Sequence, residues 1–197
     1  MVLRHRLIGT RAEITSRLND VYQKFTSENP DITPINVRID WMKTTQDWWW
    51  SYWGNKELER SIQGGINHTT AKYLLWKYEN HLEGQGKSGY TATRFDKIDS
   101  PELEHIAPKT ENPETGYDSY DEEFKNQYLN CLGNYLLLSK PHNGWASNRP
   151  FQEKRNSYTH LKQQLEIQNM TTENLIWTKV LIQQRKDKIV KFVIENV

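Results

Sequence analysis

Two short apolar stretches constrain this chain more than any other feature of its 197 residues. Glu102-Leu103-Glu104-His105-Ile106-Ala107-Pro108 is β-leaning, carries an acid beside a histidine, and is closed by proline. Leu132-Gly133-Asn134-Tyr135-Leu136-Leu137-Leu138 is a Gly-Asn pair followed by a continuous apolar run, which suits a buried strand. Two short strands carrying polar groups at their ends, among helical segments, predict an α+β chain.

The remaining segments read mostly as helix. Apolar positions at Ile14, Leu18, Val21, Tyr22 and Phe25 have helical spacing, with Thr10 as a cap and breaks at Asn29-Pro30 and Thr33-Pro34. Asn36–Trp41 reads as a short extended piece. Thr69–Glu83 predicts a helix with a stripe of Ala71, Leu74, Leu75, Tyr78 and Leu82, and Glu79-Asn80-His81 then falls on a solvated face. Gly84–Gly89 has linker composition, so the expected domains are a Trp-rich helical part over 1–89 and a second part over 90–197. In the second part a strand is expected at Tyr90–Phe95, a loop at Asn112–Ser119 and a short helix at Asp121–Leu132 ending at Gly133. Pro150 opens a helix carrying Phe151, Tyr158, Leu161 and Leu165, and Thr171-Thr172-Glu173 caps a last one.

Trp41, Trp48, Trp49, Trp50, Tyr52 and Trp53 place six large rings in thirteen residues. Such rings can stack bases. Only Lys43 interleaves them, however, and Asp40 and Asp47 are close, so a buried aromatic core or domain seam is the better reading.

Basic and acidic side chains nearly cancel, 26 against 25, which excludes a polycation. Locally they separate: ten acids against two lysines from Asp96 to Glu123, then six bases against one acid from Lys125 to Lys162. That pattern fits a metal site beside a phosphate-binding face, and equally two solvated faces of opposite sign. A single cysteine, Cys131, excludes an internal disulfide or a cysteine-based zinc knuckle. No apolar run reaches the ~20 residues of a membrane span, and the N-terminus has no secretory pattern, so the cytoplasm is the expected location.

Hydrolysis of a phosphodiester needs a base, a group that orients it, and oxygen ligands for a cation. His105 suits the base, its alternative being a hydrogen-bonded structural histidine. Glu104 suits a hard oxygen ligand for Mg²⁺ or Mn²⁺, although strand neighbours point to opposite faces and a bulge would be needed for both to serve one site. Asn134, through its amide or its carbonyl, could fix the imidazole tautomer. Asn143 would supply a second oxygen ligand, with His142 its competitor, and Asn148 a further ligand or a helix cap. Lys140, Arg149, Lys154 and Arg155 are the bases placed to meet DNA phosphates.

The run Glu104-His105-Ile106-x-Pro108, then Leu132–Leu138, then Asn143, then Asn148-x-Pro150-Phe151-x-x-Lys154-Arg155-x-x-Tyr158 resembles the HNH variant at the C-terminal end of GmrSD-type modification-dependent restriction proteins. More distantly it is similar to the HNH domain of RNA-guided DNA-cleaving effectors. The resemblance covers roughly residues 100–195. The segments Trp48-Trp49-Trp50-x-Tyr52-Trp53 and Lys72–Asn80 are similar to the helical region preceding the nuclease in those proteins.

The resemblance implies a ββα-metal finger with additional C-terminal helices behind a mainly helical N-terminal part. It implies a DNA endonuclease in restriction or antiviral defence, with His105 as general base, Asn134 as its positioner, and Glu104 with Asn143 as ligands of a divalent cation. Asn at the third HNH position points to Mg²⁺ or Mn²⁺ rather than Zn²⁺. The ParB-like, nucleotide-hydrolysing domain of those proteins, with its Asp-Gly-Gln-Gln-Arg motif, has no counterpart here, which leaves three expectations open: a truncated gene, a fragment, or one subunit of a split system with a separate targeting, nucleotide-hydrolysing subunit. The rival expectation is a non-catalytic module that holds DNA or a partner subunit on the same fold. RNA as substrate is a third option.

Overall fold

The two apolar runs form an antiparallel pair. In the computed structural model, which describes residues 1–9, 14–26, 31–98, 102–111, 116–173 and 175–197, β1 (Glu102–His105) and β2 (Tyr135–Leu138) pair without a bulge. Glu102 lies opposite Leu138, and His105 opposite Tyr135. The chain is α+β and mainly helical. It divides into two units, Met1–Gln63 with Ile194–Val197, and Gly64–Val193.

The first unit contains α1 (Val2–Ile8), α2 (Ile14–Thr26), α3 (Thr33–Thr44), α4 (Trp48–Ser51) and α5 (Asn55–Gln63). Asn36–Trp41 lies inside α3 rather than extended. Pro34 sits in the first turn of α3, where its missing N–H costs nothing, so it starts the helix instead of breaking the chain. The Thr10 cap and the Asn29-Pro30 break lie outside the described residues. Met42, Trp53, Leu58 and Ile62 are fully buried. Arg4, also buried, stacks on Trp53 at 5.0 Å and donates to the carbonyls of Trp53 and Ile194. Of the six clustered rings only Trp53 is core: Trp48 is 72% exposed and Tyr52 48%. Asp47 caps α4 by accepting the N–H groups of Trp49 and Trp50, which fixes where the rings stand.

In the second unit α6 (His68–Gly84) packs on both strands and on α9 (Lys162–Met170). The expected linker at 84–89 therefore falls inside this unit, since α6 belongs with the strands. Tyr90–Phe95 forms no strand. Trp76 and Asn80 donate to the Thr93 carbonyl, and Asn80 accepts from Thr93 N–H and the Tyr90 hydroxyl, so side chains of α6 take the place of a ladder. Residues 112–115 of the expected loop lie outside the described residues.

The helix expected at 121–132 is one π-helical turn, Phe124–Tyr128, followed by a 3-10 turn at Leu132–Asn134. After β2 come α7 (Lys140–Ala146), capped by Ser139, and α8 (Phe151–Ser157). The single helix expected from Pro150 is broken at 158–161, where Tyr158 is buried, and α9 starts only after the break. α10 (Lys179–Asn196) begins later than the Thr171-Thr172-Glu173 cap expected for it. Thr171 instead closes α9 with its hydroxyl on the Ile167 carbonyl, and Trp177 bridges to Tyr117.

The core of this unit gathers Ile106, Tyr120, Phe124, Leu136, Leu138, Phe151, Trp177 and Ile182 around β2. Each such side chain contributes about 1.5–3 kcal/mol. Gly133 makes the packing possible: a Cβ there would meet the Ile182 carbonyl oxygen at 2.1 Å. α10 thus lies directly on the turn that leads into β2, and the buried Arg185 donates to the carbonyls of Gly133 and Tyr135 from the next helical turn.

Candidate active site

β1 ends on His105, and unbroken alternation makes Glu104 and His105 face opposite sides of the ribbon. The partners agree. Glu104 Oε1 receives Lys154 Nζ at 2.5 Å, from α8. Lys154 is fully buried and spends its remaining two N–H groups on the carbonyls of His105 and Ile106, at 3.1 and 3.3 Å. Burial pushes the Glu104 carboxyl up and the Lys154 ammonium down, while each charge pulls the other back toward its ionised form. The pair therefore anchors the end of β1 to α8.

His105 lies on the other side, 8% exposed, with its ring 4.8 Å from Tyr135 and 5.9 Å from His68. Its Nε2 meets Asn130 Oδ1 at 3.1 Å. Burial depresses its pKa to about 4, against which the Asn130 bond works, so the ring is neutral at physiological pH.

Asn134 does not touch the imidazole. Its Oδ1 accepts from Ala107 N at 2.8 Å and Trp177 Nε1 at 3.1 Å. Its Nδ2 donates to the carbonyls of Ala107 and Leu129, at 3.0 and 2.9 Å, and its own carbonyl accepts from Ile106 N. All four bonds of the amide are used, so the expected tautomer contact is replaced by a clamp. It pins Ala107, two residues after His105, to Leu129, one residue before Asn130.

Asn143 sits on α7, which packs against β1. Its Oδ1 is enclosed and has no partner among the described residues. A buried oxygen left in that state costs about 1–3 kcal/mol, and a ligand removes the cost. This atom and the Glu104 carboxylate are hard donors on adjacent elements, which fits Mg²⁺ or Mn²⁺, ions that take few protein oxygens and keep several waters. Among the described residues no three His, Cys, Asp or Glu side chains converge on a position that could hold a metal ion. His142 bonds Ser157 Oγ at 2.6 Å and packs on Trp145 and Tyr158, so it is engaged elsewhere, and Asn148 is exposed beyond α7.

Of the four bases expected to meet DNA, two are exposed. Lys140 is exposed at the start of α7. Arg149 is exposed, stacks on Trp145 at 4.6 Å and pairs with Glu153 at 2.9 Å. Lys154 is inaccessible. Arg155 is turned to α9, donating to Thr171 Oγ1 at 2.7 Å and the Gln168 carbonyl at 3.0 Å. The sequence reading also missed Asn130, His68 and Tyr135 around His105. Only Tyr135 had a signal, as the cross-strand neighbour that the register dictates.

A family model described as "GmrSD restriction endonucleases, C-terminal domain" matches residues 54–192. No curated protein and no solved structure matches the chain.

Proposed function

Because the chain belongs to the family of C-terminal domains of GmrSD restriction endonucleases, we propose that it is a divalent-cation-dependent DNA endonuclease module acting in restriction of foreign DNA. The observation that carries this reading is His105. It is an imidazole held neutral by burial, at the end of β1, joined in the chain to a carboxylate.

In this reading His105 takes the proton of a water whose oxygen attacks phosphorus, and the sugar oxygen leaves on the opposite side. Glu104 and Asn143 would hold the cation, which when bound supplies electrostatic stabilisation to the phosphate and the leaving oxygen. Burial raises the Glu104 carboxyl, and Lys154 pulls it back toward its ionised, cation-binding form. Lys140 and Arg149 hold flanking phosphates. Targeting is assigned to a separate subunit or domain, and the cytoplasm, where foreign DNA arrives, is the proposed location.

One observation favours a second reading. Glu104 is already neutralised by Lys154 and faces away from His105 across β1, as in a non-catalytic module that holds DNA or a subunit. Plasmid cleavage with Mg²⁺, Mn²⁺ or EDTA, alongside DNA binding by the same samples, separates the two. The nuclease reading expects metal-dependent nicking, lost in His105→Ala and Asn143→Ala with binding retained. Binding without cutting under either metal would establish the module instead.

A further inference from the structure

The geometry points to Asn130 as the positioning residue that fixes which ring nitrogen of His105 carries the proton. Its catalytic consequence rests on the nuclease reading; its structural content does not. Asn130 Oδ1 lies 3.1 Å from His105 Nε2 and also receives the Tyr135 hydroxyl at 3.4 Å. An amide oxygen has two lone pairs and can accept both. With that oxygen facing the ring, Nε2 must be the N–H, and Nδ1 keeps its lone pair. No described residue bonds Nδ1.

Asn130 is held from behind. The Asn134 amide donates to the carbonyl of Leu129 and to that of Ala107, so one side chain ties down both segments that meet at the imidazole. Asn134 thus acts through Asn130: it sets the turn, and Asn130 sets the tautomer. A base whose lone pair is aimed in advance needs no rotation or proton shift before it accepts.

Long-range proton–nitrogen correlation NMR on histidine-labelled, EDTA-treated protein at mildly alkaline pH reads the tautomer without any catalysis. Wild type is expected to carry its His105 proton on Nε2. Asn130→Asp, whose carboxylate only accepts, is expected to keep that tautomer, and Asn130→Ala to lose it to a mixture. Asn130 is exposed, so truncation leaves the core intact. A proton on Nδ1 in wild type, or an unchanged tautomer in Asn130→Ala, would overturn the inference.

In plasmid cleavage Asn130→Ala is expected to lower kcat about 10- to 100-fold, with DNA affinity unchanged and Asn130→Asp recovering much of the rate. A lost tautomer with unchanged kcat would remove His105 from catalysis while leaving the hold of Asn130 on the ring intact.

Discussion

A neutral imidazole sealed into a fold makes that fold sensitive to acid. Above pH 6.5 His105 is neutral in both folded and unfolded chains and contributes nothing. As pH falls below that value the unfolded chain takes a proton that the folded chain refuses until about pH 4. Stability is therefore lost across that window, by about 3 kcal/mol in all. Urea midpoints in EDTA at either end of the window should drop clearly for wild type and less for His105→Gln; parallel drops would mean that the ring is not desolvated in solution. Gly133 sets a second constraint at this scale. With the Ile182 carbonyl where its Cβ would go, Gly133→Ala must push α10 off the turn before β2. A loss of about 3 kcal/mol, read by thermal unfolding, is expected, whereas an alanine at the open Gly144 should cost far less. From sequence Gly133 reads as the end of the preceding helix, because a glycine with a left-handed φ and a glycine that admits a neighbouring helix are spelled alike.

The helices show where local signals suffice and where they do not. The α6 stripe was legible because Ala71, Leu74, Leu75 and Tyr78 repeat at the helical period and are all buried. Glu79 beside them reads as solvated, yet it is only 6% exposed. α9 has no side-chain cap of its own, and Glu79 accepts the N–H groups of Lys162 and Gln163 at 2.6 and 3.0 Å. Gln163 Nε2 adds a third bond to it at 3.1 Å. A carboxylate at a helix N-terminus also meets the positive end of the dipole. Glu79→Ala should therefore cost about 2–3 kcal/mol, and Glu79→Gln less, because an amide oxygen still accepts. Hydrogen exchange at the first amides of α9 is the specific readout, and unchanged protection there in Glu79→Ala would show that the cap is not needed. A cap drawn from a residue more than eighty positions away has no signature in a local window. The same cause hid the irregular Tyr90–Phe95 segment, which α6 holds by side chains. Strand pairing was legible because its pattern is local, while the partners of Glu104 and His105 come from α8 and from the turn before β2.

Charge decides how the whole molecule meets DNA. Twenty-six basic and twenty-five acidic side chains leave no net field to concentrate it on a polyanion. The basic block from Lys125 to Lys162 is smaller in the fold than in the sequence, because Lys154 is sealed against Glu104 and Arg155 is bound to α9. Lys140 and Arg149 remain on the surface beside α7, the helix that carries Asn143. Binding by this chain alone should then be weak and moderately salt-dependent, with log affinity falling against log salt at a slope of about −2 to −4. Lys140→Ala with Arg149→Ala should flatten that slope by about 2. Lys154→Met should leave it unchanged while lowering thermal stability, since it strands a buried carboxylate. Fluorescence anisotropy of a labelled duplex across a salt series measures all three. A steep slope that the double variant does not touch would place the DNA path on another face and detach it from the Asn143 helix. The expected flattening would put the phosphate track beside α7, where a nuclease built on β1 and α7 needs it.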